Sequence, residues 1–110
     1  MNKIAIKKDI HQLAFDASHL AGDEAAKLLP EWTGPCGFAW IIVKPGTSSF
    51  ARWLIRTGHA VPDRYFGGAN IPVMDYGQCL RTKRAYVLGF ATELSTYFPN
   101  LIIKPMSRED

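Results

Sequence analysis

Apolar side chains recur near the start of the chain at helical spacing: Ile10, Leu13, Ala14, Ala17, Leu20 and Ala21 fall on one stripe. That period predicts a helix from Lys8 to about Leu29. Gly22-Asp23 reads as an interruption, with Asp23 suited to cap a second helical piece. Ile4–Lys7 fits a short strand or a first helical turn equally well. Residues 31–37 carry Gly34, Pro35 and Gly37 and read as a loop. The run from Phe38 to Lys44, FAWIIVK, is apolar on both alternating sides, the pattern of an interior strand covered on both faces. Thr47 or Ser48 then caps a helix whose buried face is Phe50, Trp53 and Leu54, and Gly58 stops it.

Residues 59–68 read as a loop ending in Gly67-Gly68. Residues 69–75, ANIPVMD, read as a short strand in which Pro72 argues for an edge or a bulge. Tyr76-Gly77 is a turn. Leu80, Val87, Leu88, Ala91, Leu94 and Phe98 mark a long amphipathic helix over 78–98, followed by a last short strand at 101–104 and a polar tail at 107–110. The order is α-β-α-β-α-β. It predicts one small α/β domain over 1–110, with a helical N-terminal segment at about 8–29 and an α/β core at about 36–104. The expected sheet has about three strands of mixed direction.

Composition narrows this further. The 110 residues are 47% hydrophobic, enough for one core without a metal or disulfide staple. Thirteen basic against ten acidic residues give +3, which permits a polyanionic partner without demanding one. Cys36 and Cys79 match no zinc spacing, and their sequence positions place them far apart. No signal peptide or membrane-spanning run is evident, so the expectation is a cytoplasmic, reducing setting without membrane contact.

The segment Cys36–Leu54, CGFAWIIVKPGTSSFARWL, resembles small proteins of tailed bacteriophages with no assigned function. Gly67-Gly68, Gln78, Arg81, Lys83, Ala85 and Phe90-Ala91 extend the likeness to about Leu94. The resemblance implies a phage origin, and hence the host bacterial cytoplasm. It supplies no catalytic residues, and it favours binding over catalysis.

The candidate site is electrostatic. Arg81, Lys83 and Arg84 fall at the start of the long helix, where cations oppose the helix dipole unless an anion sits nearby. Lys44, Gly46, Thr47 and Ser48 place charge, free backbone amides and hydroxyls at another helix start, a phosphate-binding chemistry. In a parallel sheet both loops would lie at the carboxyl edge of the strands and converge. Gln78 would join Arg81 and Lys83 as a clamp, and Tyr65 or Phe66 would stack on a ring.

The expected function is therefore non-enzymatic binding of a phosphate-bearing small molecule such as a nucleotide, with countering host defence as the role the phage resemblance suggests. Two other readings stand beside it: an inhibitor docking on a host protein through a basic, aromatic surface, and a nucleic-acid binder. No P-loop or dinucleotide fingerprint is present. His11 and His19 are eight apart, which does not suit one metal on one helix face. No catalytic residue, metal or cofactor is assigned, and self-association into a homo-oligomer stays open.

Overall fold

Asp9 accepts a hydrogen bond from the His11 amide through its side chain and so caps the first helix, α1 (Ile10–Lys27). The computed structural model describes residues 9–29, 35–77 and 79–109. Ile4–Lys7, Trp32 and Gln78 lie outside them. After α1 come β1 (Gly37–Lys44), α2 (Ser49–Arg56), β2 (Val61–Pro62), β3 (Ala69–Pro72), α3 (Leu80–Tyr97) and β4 (Ile102–Glu109).

The helix α1 runs through Gly22 without a break, contrary to the sequence expectation. A Cβ at Gly22 would sit 2.8 Å from the Tyr86 carbonyl oxygen, and one at Gly89 would sit 2.9 Å from that of Ala21. These glycines let α1 and α3 cross in backbone contact. Asp23 does not cap a new helix; its carboxylate binds the Tyr76 hydroxyl and Lys27.

The sheet also departs from expectation. Among the described residues it has four strands in the order β2-β3-β1-β4, and every pairing is antiparallel. The three-strand mixed sheet is thus corrected on both counts. Val61 and Pro62 add a strand too short to show a period. The last strand is longer than its apolar residues suggest, because β4 pairs with all of β1, from Gly37↔Glu109 to Lys44↔Ile102. Backbone hydrogen bonds carry that pairing whatever the side chains. Pro72 lies beyond the two residues of β3 that β2 reaches. Pro105 falls in the middle of β4, which borders the sheet among the described residues.

One face of the sheet is covered by helices. Ala39, Ile41 and Val43 of β1 and Ala69 and Ile71 of β3 join Phe50, Trp53, Leu54, Phe90 and Leu94 in a single core. Phe15 brings α1 onto it, with its ring 5.5 Å from Phe90. The opposite face carries no helix among the described residues.

Candidate functional site

Cross-strand register fixes what the open face displays, because directly paired residues share a side of the sheet. Trp40 pairs with Pro72 and Met106, Ile42 with Asn70 and Lys104, Phe38 with Arg108, and Lys44 with Ile102, and of these Ile42 is fully buried. Phe38 is 44% exposed, Pro72, Lys104 and Arg108 are exposed, and Trp40 and Met106 are half-buried. Phe38 and Trp40 were expected inside a strand covered on both faces. They instead line a surface.

Two cations frame the Phe38 ring. Lys83 Nζ lies 5.9 Å from its centroid and Arg108 Cζ 5.6 Å, within reach of the ring quadrupole. Lys83 is only 5% exposed and donates to the Gly37 carbonyl at 3.3 Å. Arg84 is tied at the rim by its Nε bond to Ser107 Oγ, 2.9 Å. No acidic residue occurs among the open-face positions of β1, β3 and β4.

The β2–β3 turn leans over the same face. Asp63 holds it, accepting from the amides of Tyr65 and Phe66 at 2.9 and 2.7 Å and from Asn70 Nδ2 at 2.9 Å. These bonds, the Phe66 amide first, keep the Asp63 carboxyl below the usual range, and nearby Lys44 adds to the effect. Phe66 thereby stands 6.5 Å from Trp40, and Tyr65 packs edge-on against Phe66 while staying exposed. Gly68 is needed in this turn: its φ is +78°, and a Cβ there would strike the Val43 carbonyl.

The sequence-predicted residues therefore divide into two groups. Lys44, Gly46, Thr47 and Ser48 leave the far end of β1, and Ser48 caps α2 by accepting from the Ala51 amide at 3.2 Å. Arg81, Lys83 and Arg84 sit by the near end, where the Leu80 amide bonds to Pro35. Because β3 runs antiparallel to β1, the two loops exit from opposite ends of an eight-residue strand, about 24 Å apart. The expected convergence on one anion does not form. Phe66 and Tyr65 do border a common surface, with buried Lys83 beneath its Phe38 end, but around Phe38, Trp40, Lys104 and Arg108, which sequence reasoning missed. The signal was present in β1: apolar residues on both sides serve an uncovered face as readily as a second layer.

Two other constellations are weaker. Ser49 Oγ lies 3.1 Å from His11 Nε2, but the opposite ring nitrogen is 3.7 Å from Asp9, beyond hydrogen-bond reach. His11 packs among Phe50, Trp53 and Phe98, and acts as a clasp between α1 and α2. A cleft of about 330 Å³ is lined by His19, His59, Asp75 and Tyr86, with His19 Nδ1 2.6 Å from the Tyr86 hydroxyl. No Ser, Cys, Thr or Lys lines it. Among the described residues, no three potential metal ligands cluster, and no helix is long and apolar enough to cross a membrane. Comparison with family models, curated proteins and solved structures found no match.

Proposed function

We propose that the protein is a non-enzymatic binding module for single-stranded nucleic acid, held on the open face of the sheet. The observation that carries this reading is the row of Phe38, Trp40 and Phe66 flanked by exposed Lys104 and Arg108, with no carboxylate among the face's strand positions. Aromatic rings accept bases of any sequence by stacking, and basic side chains beside them take the phosphates. An antiparallel sheet with exposed rings on its free face is a known platform for unpaired bases. Residues two apart on a strand are spaced by about 6.7 Å, so Phe38 and Trp40 can receive neighbouring bases. A row of rings along one strand suits a polymer better than a lone nucleotide. The proposal takes up the nucleic-acid alternative of the sequence reading in place of the small phosphate-bearing ligand, whose two expected loops lie at opposite ends of β1. The phage resemblance adds a setting, the cytoplasm of an infected cell.

Anisotropy of a labelled single-stranded oligonucleotide tests it. At low salt the expected Kd is roughly 1–100 μM, with a log–log salt slope of about −0.7 per phosphate neutralised. Phe38→Ala weakens binding roughly 5- to 100-fold, and Lys104→Ala flattens the salt slope. Arg52→Ala, on the exposed side of α2, leaves both unchanged. Absence of binding at low salt, or binding indifferent to Phe38 and Lys104, removes the proposal.

A second reading rests on exposed Val61 and Ile102 at the ends of the same face. They suit docking of an acidic host protein. In that case Ile102→Ala weakens partner capture, and oligonucleotides neither bind nor compete.

A further inference from the structure

The two cysteines, placed far apart by sequence reasoning, face each other. Cys36 and Cys79 form an isolated antiparallel bridge between the residue before β1 and the residue that precedes α3. The type of bridge follows from its neighbours. The Leu80 amide donates to the Pro35 carbonyl at 3.1 Å, so this hydrogen bond lies one residue outside the cysteine pair on each chain segment. The cysteines therefore occupy a narrow, non-hydrogen-bonded position, where Cα atoms stand about 4.5 Å apart and side chains approach closest. A disulfide accepts Cα separations from about 4.4 to 6.8 Å. Directly opposed residues also project to the same side. Both side chains are thiols, Cys36 is exposed and Cys79 half-buried, and the Thr82 hydroxyl lies 3.2 Å from Cys79 Sγ.

From this geometry we infer that Cys36 and Cys79 are a reversible disulfide site, closed by exchange with a small-molecule disulfide such as oxidised glutathione. Exposed Cys36 is the attacking thiol. Its thiolate displaces one thiolate from the small disulfide and forms a mixed disulfide. The Cys79 thiolate then attacks the Cys36 sulfur and expels the second small thiolate. Two cysteine protons end on two released thiols. The cysteines lose two electrons, and the small disulfide gains them. The product ties the start of β1 to the start of α3, closing the chain between residues 36 and 79 into a loop. The inference does not depend on the nucleic-acid reading.

The test uses the full native chain in buffers of graded oxidised-to-reduced glutathione, followed by acid quench, alkylation and intact-mass measurement. The expected product is a monomer 2 Da lighter, with both thiols lost together, one cross-linked Cys36–Cys79 peptide, and a Tm raised by roughly 5–15 °C. Dithiothreitol reverses all three changes. Cys79→Ser halts the reaction at a stable glutathione adduct on Cys36. Should wild type instead accumulate two glutathione adducts, link between chains, or keep both thiols open to alkylation in oxidising buffer, the inference is overturned. The peptide map of wild type decides this even where a serine variant folds poorly.

Discussion

Tyr76 donates its hydroxyl to Asp23 Oδ1 at 2.5 Å, joining the turn after β3 to the C-terminal part of α1 across 53 residues of chain. Lys27 reaches the other carboxylate oxygen at 2.9 Å. Tyr76 holds a left-handed backbone, φ +71°, which side-chain-bearing residues adopt at a cost of roughly 1–2 kcal/mol. The bond to Asp23 helps to hold the turn in that conformation.

This contact gives an acid-limb prediction. The Tyr76 hydroxyl first, and Lys27 second, lower the Asp23 pKa below its ordinary value of 3.8. A depressed carboxyl contributes stability above the unfolded pKa, and loses it as pH falls through the folded one. Melting curves should therefore fall more steeply with acid in wild type than in Asp23→Asn or Tyr76→Phe, over the range below pH 3.8. Parallel curves would mean that the contact carries no pH-dependent stability.

The alkaline limb should report Tyr76 and Tyr86. Both phenols are raised above their ordinary 10, chiefly by burial; the Asp23 bond comes next for Tyr76 and the charge of Asp75 for Tyr86. A raised group contributes stability below its unfolded pKa that is lost as pH climbs towards the folded value. Absorbance at the phenolate band should show Tyr76 and Tyr86 ionising late, in step with unfolding above about pH 10. Tyr86→Phe should make the alkaline loss of Tm shallower.

Glycine at the helix crossing is a packing requirement. In Gly89→Ala the new Cβ meets the Ala21 carbonyl at 2.9 Å, the Ala25 Cβ at 3.0 Å and the Gly22 Cα at 3.2 Å. Alanine favours a helix by about 1 kcal/mol over glycine, yet overpacking costs about 1–3 kcal/mol. Chemical denaturation should show net loss of stability, with Gly22→Ala behaving alike. A gain would mean that the helices separate at little cost.

Ser18 offers the opposite case. It is fully buried in α1, and its hydroxyl has no hydrogen-bond partner among the described residues. Ser18→Ala removes a desolvated polar group and improves helix propensity, so it should raise unfolding free energy by about 1 kcal/mol. A measured loss would point to a partner for that hydroxyl.

The helix positions were legible because apolar residues repeat every three to four residues, and Phe50, Trp53 and Leu54 sit where the period put them. But Ile10, Leu13 and Leu20 of α1 and Leu88 of α3 are exposed, and α1 buries Ala14, Ser18, Gly22 and Ala26 because its close crossing with α3 admits only small side chains. Strand direction was not. Alternating strands and helices suggested parallel crossovers, and nothing in Ala69–Pro72 itself reveals that β3 runs against β1. That one unknown also misplaced Lys44 relative to Arg81 and hid the Cys36–Cys79 pairing. The proposed binding surface was half legible: Tyr65 and Phe66 were singled out, but Phe38 and Trp40 looked like interior residues because hydrophobicity alone cannot distinguish a second covering layer from an uncovered face. Glu109 and Arg108 looked like a tail because pairing with Gly37 and Phe38 uses backbone groups.

Pro105 bears on how copies of the chain meet. Lying mid-strand on the border of the sheet, it withholds one amide from any neighbour that would extend the ladder, and Lys104 and Arg108 put charge on the same strand. Borders of this make resist edge-to-edge aggregation. Replacing Pro105 by threonine should promote self-association, visible as earlier elution in size-exclusion chromatography at high concentration.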